Sequence, residues 1–214
     1  MLIPLLSVIL FQLLIKKMKI SHTFAIFKPT NTLILIAIFL PILLALGLQQ
    51  FFHSIYQEHF LFIEYKELLP LIMIGVTISS LSALLEEIIW RGNYHYYLRQ
   101  NYNLLKTANI QGVIWSIWHL PIALFYKPYT NLLIAIPNYL ILMFTLSCVL
   151  TIVREKGKSI IPVAIFHGMF NVFYLSDGIQ MTLSVELQEI IKCILLLLIV
   201  VFIFSKQSII KKSG

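Results

Sequence analysis

Charge is scarce in this chain: 12% of its 214 residues are Asp, Glu, Lys or Arg, against 59% that are hydrophobic. A water-soluble domain with that balance lacks the polar surface to cover itself, so the composition excludes a soluble globular enzyme and makes the bilayer the solvent. Cysteine is nearly absent. Cys148 and Cys193 lie within apolar runs, without the spacing of a disulfide framework or a zinc knuckle, and read as small packing residues. Nucleophile signatures are missing as well: the chain has no Gly-x-Ser-x-Gly elbow and no His-Glu-x-x-His pair, and neither cysteine neighbours a candidate base. A protein nucleophile is therefore not expected. No internal repeat, low-complexity tract or soluble domain interrupts the chain.

What is present is a series of apolar spans, with a mean hydropathy of +0.90 overall. They run from about Leu2 to Ile15, Thr32 to Phe52, Leu69 to Trp90, Ala108 to Phe125, Leu132 to Val153, Ile160 to Leu175 and Ile190 to Phe204. The pattern predicts an all-α, polytopic membrane helix bundle of about seven transmembrane helices, the first and sixth being short against the ~20 residues that cross a bilayer. The first span has no basic n-region and no small-residue cleavage site, so it reads as a retained helix rather than a secretory signal.

The net charge of +7 does not point to nucleic acid, because the basic residues fall in short clusters between apolar spans. Lys16, Lys17, Lys19 and Lys28 follow the first span, Arg91, Arg99 and Lys106 the third, Arg154, Lys156 and Lys158 the fifth, and Lys206, Lys211 and Lys212 the seventh. Thirteen of the sixteen basic residues thus fall on one side, leaving Lys66, Lys127 and Lys192 on the other. The positive-inside tendency then places the N-terminus outside and the C-terminus in the cytoplasm. Pro70 and Pro162 are expected in the opening turns of their helices and Pro121 and Pro137 inside theirs, where they would kink them. The run Ser79, Ser80, Ser82 and Ala83 offers a small-residue face for close approach of another helix.

Against this apolar background, Glu86-Glu87-Ile88-Ile89-Trp90-Arg91 stands out. A charge near the centre of a membrane helix costs roughly 2.5 to 3.5 kcal/mol on insertion scales, so such residues mark chemistry or transport. Two further constellations share the feature. Trp115-Ser116-Ile117-Trp118-His119 puts an aromatic and a histidine at i and i+4, and His167-Gly168-Met169-Phe170-Asn171 does the same with histidine and asparagine. With a rise of ~1.5 Å per residue, Glu86 lies less than two turns, and His119 and His167 two to three turns, from the cytoplasmic ends of their spans. Carboxylate, imidazole and imidazole arrive at a common depth. A carboxylate with a histidine can activate water, and a histidine with an asparagine can donate to the oxyanion formed when water attacks an amide. Glu86, His119 and His167 would equally form a three-ligand site for a single Zn2+ with one open position. Asn171 favours the metal-free reading, being a better amide donor than zinc ligand.

In this order, Glu-Glu-x-x-x-Arg, aromatic-x-x-x-His and His-x-x-x-Asn resemble the CPBP family of intramembrane proteases, which includes the CAAX prenyl endopeptidases and bacterial relatives linked to bacteriocin processing or self-immunity. The likeness extends through Glu86 to Tyr97, Trp115 to Pro121 and Ser159 to Asn171. It implies a division into N-terminal membrane helices and an interfacial segment at 1–68 and a catalytic helix bundle at 69–214. It also implies that Glu86 is the general base, His119 its partner, and His167 and Asn171 the oxyanion donors, with Glu87, Arg91 and Trp115 in support. Trp115 stands where the family most often has phenylalanine.

The expected function is thus a CAAX-type intramembrane endopeptidase acting on a membrane peptide or protein substrate. The Ile, Lys and Asn richness suggests an AT-rich bacterial genome and hence a bacterial cell membrane. The alternative is a non-catalytic immunity or sensor-regulating scaffold. A proton-relay transporter is disfavoured, because neither a repeated half nor paired broken helices is visible. Glu87 and Arg91 also admit a plainer reading, an interfacial pair with Arg91 snorkelling to the headgroups. His22, His53, His59 and His95 read as solvated or interfacial, and Tyr94, Tyr96, Tyr97, Tyr126 and Tyr129 as an aromatic belt.

Overall fold

A computed structural model describes residues 2–16, 24–57, 65–175 and 184–212. Among the described residues every regular element is helical. Helix α1 covers Leu2–Leu10 and continues as a π-helical turn, Phe11–Lys16. Helix α2 is Asn31–Gln57. The next, α3, is one unbroken helical run from Tyr65–Ile74 through π-helical Gly75–Ser79, α-helical Ser80–Glu87, π-helical Ile88–Tyr94 and α-helical His95–Asn101. Then come α4 (Leu104–Trp118), α5 (Leu120–Phe125), α6 (Leu132–Gly157), α7 (Ile161–Phe173) and α8 (Val185–Lys212). A helix lies at each of the seven expected spans. Three stretches, Asn31–Phe51, Leu68–Asn101 and Leu132–Gly157, are long and apolar enough to cross a membrane, and Pro4–Leu14 and Ile161–Phe173 are shorter apolar helices. Large apolar side chains face outward, Ile78 being 71% and Leu133 89% exposed. That is the surface of a protein solvated by lipid.

Three expectations about these helices need correcting. The third span does not stop at Trp90; α3 runs on to Asn101, so Glu86 lies about four turns from its end rather than less than two. The polar residues past Trp90 remain helical because their side chains find partners inside the protein. Pro70 is interior, since the helix already begins at Tyr65, whereas Pro162 does occupy the first turn of α7. Pro121 opens a new helix instead of kinking one: α4 ends at Trp118, His119 sits at the junction, and α5 starts with Pro121 in its first turn.

The chain divides into two compact units, Met1–Asn101 with Ile152–Ser176, and Tyr102–Thr151 with Asp177–Gly214. In the first, α7 packs on α2 and along the Gly75–Glu87 part of α3. The small-residue face works as expected. Ser79 Oγ donates to the Gly168 carbonyl at 2.9 Å, and a Cβ added at Gly168 would lie 2.6 Å from Ser80 Cα. Gly75 likewise meets Met169 Sδ. The segment before α2 folds inward: Ala25 is fully buried with φ 53°, its carbonyl accepts from Ile160 N at 3.1 Å, and the Phe27 carbonyl accepts from Ser159 Oγ at 2.7 Å. Gly92 abuts the Phe24 backbone, with 3.0 Å from a Cβ position to Phe24 Cα.

In the second unit, Gly112 of α4 lies against the Phe144 ring of α6, and Gln111 Oε1 is 3.1 Å from Thr151 Oγ1. The loop before α6 is tied to the start of α8. Glu186 Oε1 accepts from Thr130 N, Thr130 Oγ1 and Asn131 N, while Lys127 Nζ is 3.3 Å from Glu189 Oε1. Cys148 and Cys193 are buried thiols, not joined in a disulfide, as packing residues should be.

Candidate active site

Successive residues on a helix point about 100° apart, so adjacent glutamates cannot share an environment. Glu87 turns inward and is fully buried; Glu86 is half-buried. The Glu87 carboxylate is held on two sides through one oxygen, with Arg91 Nη1 at 3.1 Å and His167 Nδ1 at 2.8 Å from Oε1. Arg91 is itself 0% exposed and His167 only 2%. A buried carboxylate needs such partners, because an uncompensated charge in a low-dielectric interior is strongly destabilising. This overturns the reading of Arg91 as a residue snorkelling to the headgroups.

The pairing with Arg91 is legible from the i, i+4 spacing, but the bond to His167 is not, since the two residues are separated by 80 positions. Its geometry fixes the ring. An ionised carboxylate only accepts, so Nδ1 donates to Glu87 and Nε2 remains for chemistry. Gly168 and the Ser79–Ser80 pair explain why His167 comes so near: α7 approaches α3 to backbone contact one residue after it. Asn171, one turn further along α7, is half-buried.

Along α3 the spacing of four continues, Glu87, Arg91, His95 and Arg99. His95 is buried, 3% exposed, with Nε2 at 3.1 Å from Glu155 Oε2, and Arg99 donates to the same carboxylate from Nε and from Nη2, the latter at 2.9 Å. His95 is therefore the buried member of a half-buried polar cluster, not a solvated histidine; Glu155, its distant partner, gave no local signal. His22 and His59 and the His53 side chain lie outside the described residues. Tyr97 accepts a hydrogen bond from the buried Gln12 at 2.9 Å, a role beyond the aromatic belt.

His119 and Trp115 belong to the second unit. His119 caps α4 at the break before α5, 8% exposed, with Nδ1 at 2.9 Å from the Trp115 carbonyl and its ring centroid 4.0 Å from that of Trp115. A carbonyl only accepts, so here too Nδ1 carries the proton and Nε2 holds the lone pair of the neutral ring. The aromatic at i−4 thus both supplies the orienting carbonyl and covers the imidazole face. Of the three residues considered for zinc, Glu86 and His167 are in the first unit and His119 in the second. Among the described residues of the first unit, Glu86, Glu87 and His167 make no three-ligand metal cluster.

The chain is similar to CAAX prenyl protease 2 of Methanococcus maripaludis, with 30% identity over 98 residues, covering 43% of this chain and 36% of that protein. The matched region is therefore little more than a third of the relative's length. A family model described as "Type II CAAX prenyl endopeptidase Rce1-like" matches residues 66–173, which is half of the chain and contains every candidate residue from Glu86 to Asn171. This membrane protein belongs to the Rce1-like family of type II CAAX prenyl endopeptidases.

Proposed function

We propose that the chain is an intramembrane endopeptidase that hydrolyses a peptide bond of a membrane-associated peptide or protein with Glu86, His119, His167 and Asn171. The observation that carries this reading is the buried Glu87–His167 bond, which holds an imidazole in one orientation inside an apolar bundle. Glu86, with His119 as its partner, accepts a proton from water. The hydroxide so formed attacks the scissile carbonyl carbon, and the oxyanion takes hydrogen bonds from His167 Nε2–H and the Asn171 amide. Because His167 Nδ1 already donates to Glu87, donation from Nε2 requires the doubly protonated ring, whose charge is met by Glu86 and then by the oxyanion, Glu87 being shared with Arg91. Glu86 then returns its proton to the departing amine. The site opens toward the cytoplasm in a bacterial cell membrane, with the N-terminus outside.

The two fixed Nδ1 protons also favour a second reading. A metal-bound histidine characteristically donates its other ring N–H to a carboxylate or carbonyl, and on that reading Glu86, His119 and His167 would be the ligands of a single Zn2+. When bound, the ion would supply an acidified water and polarise the carbonyl. Purified protein assayed for metal and then treated with chelator separates the two, since stoichiometric zinc whose removal abolishes cleavage would sink the metal-free route.

The function itself is tested in proteoliposomes with an internally quenched, farnesylated peptide ending in a CAAX sequence. Wild type should cleave it. Glu86→Ala and His119→Ala, correctly inserted, should lose about 10² to 10⁴-fold in rate. No cleavage by wild type leaves the scaffold reading standing, and cleavage by both variants at the wild-type rate makes the assignment of Glu86 and His119 wrong.

A further inference from the structure

Arg154, near the end of α6, reaches α3 at a backbone atom. Its Nε donates to the Arg91 carbonyl oxygen at 2.9 Å, in the middle of the π-helical turn Ile88–Tyr94. The next residue, Glu155, grips α3 differently, binding the side chains of His95 and Arg99 one and two turns further on. Two neighbouring residues thus divide the work. Glu155 ties side chain to side chain toward the end of α3, whereas Arg154 holds the main chain of the residue whose guanidinium meets Glu87 Oε1. A π turn widens the helix and leaves its carbonyl directions less uniform than those of an α-helix, so an external donor at one carbonyl selects among near-equal backbone arrangements. Arg91 Nη1 and His167 Nδ1 share the single oxygen Glu87 Oε1, and a small rotation of the turn would draw that oxygen off the imidazole.

We propose that Arg154 is a positioning residue for the active site: by donating to the Arg91 carbonyl it sets the π turn in the one arrangement that keeps Glu87 on His167 Nδ1. The inference rests on the reading of His167 as part of the catalytic apparatus, and it acts through Arg91 and Glu87 rather than through substrate. Gly92, next in the same turn, lets the Phe24 backbone come within 3.0 Å of its Cβ position.

A readout independent of substrate is available. Full-length protein labelled with 15N-histidine in lipid nanodiscs should show a downfield His167 Nδ1–H resonance, assigned by its loss in His167→Gln. Arg154→Ala is expected to shift or broaden that resonance away from its wild-type position, while Glu155→Gln, which loosens the same pair of helices without touching the Arg91 carbonyl, leaves it in place. Arg154→Lys keeps the charge but not the planar fork and should move it in the same direction, so it carries the test if the alanine variant does not fold. An unmoved resonance in the Arg154 variants, or an equal change in Glu155→Gln, overturns the proposal. With the farnesylated peptide, Arg154→Ala should lower kcat about 10- to 100-fold with KM within twofold, as expected of a misplaced catalytic group. Wild-type cleavage by Glu86→Ala would remove the proposed role of Glu86 yet leave the resonance to judge Arg154. An inactive Glu86→Ala beside an unaffected Arg154→Ala removes only the role of Arg154.

Discussion

Two adjacent glutamates divide into opposite fates, and substitutions should separate them. Glu86→Gln is expected to abolish cleavage while leaving thermal unfolding in detergent close to wild type, because Glu86 is only half-buried. Glu87→Gln should lower stability by about 3 to 5 kcal/mol as well, since it leaves the Arg91 charge buried without its counterion. Equal melting of the two variants would contradict this division. A third carboxylate, outside the membrane spans, predicts a pH effect. Glu186 is held at about 2, below its ordinary 4.5, first by its own backbone N–H and then by the backbone and hydroxyl of Thr130. With the folded value depressed, its contribution is complete above pH 4.5 and lost as pH falls toward 2. The melting difference between wild type and Glu186→Gln should therefore be present at pH 7 and close between those values. At this scale the sequence showed which residues were anomalous, because charge in an apolar run is visible one residue at a time. It could not show that His167 belongs to Glu87 or His95 to Glu155, because those bonds join residues 80 and 60 positions apart.

Helix α3 was legible as an apolar run but not in its length or internal geometry. Hydropathy ends it at Trp90, whereas partners supplied from α6 keep Arg91, His95 and Arg99 helical as far as Asn101. The π turns at Gly75–Ser79 and Ile88–Tyr94 carry no compositional mark that a periodicity of 3.6 would reveal. The break at His119 follows from Pro121, since proline is well placed in a first turn and ill placed inside a helix. What the sequence did convey is that Ser79 and Ser80 would admit another helix closely; the structure shows that helix to be α7. Gly168→Ala tests that contact: a methyl there meets the Ser80 backbone, which cannot swing aside, and overpacking of this kind costs about 1 to 3 kcal/mol. The variant should unfold earlier and lose activity, because α7 carries His167 and Asn171. Unchanged melting and cleavage would show that the two helices can separate without disturbing the site.

For the molecule as a whole, composition settled the solvent before any motif was read, and the outward apolar side chains agree with it. The expected topology is open to direct measurement: reporter fusions should place the 102–104 and 157–160 turns and the C-terminus in the cytoplasm and the 126–131 loop outside. The opposite pattern would reverse the side from which substrate and water enter. The order of the elements along the chain also bears on how the protein is made. Glu87 and His167 are 80 residues apart, which at ribosomal speeds of 5 to 20 residues per second is a delay of roughly 4 to 16 s. During that interval α3 meets the bilayer with Glu87 already synthesised and its imidazole partner still untranslated. Arg91, four residues downstream, is the counterion available from the start, so the ion pair is a provision for biogenesis as much as for the finished site. Arg91→Leu should accordingly reduce the amount of protein inserted into membranes, measured by pulse labelling and carbonate extraction, more than His167→Leu does.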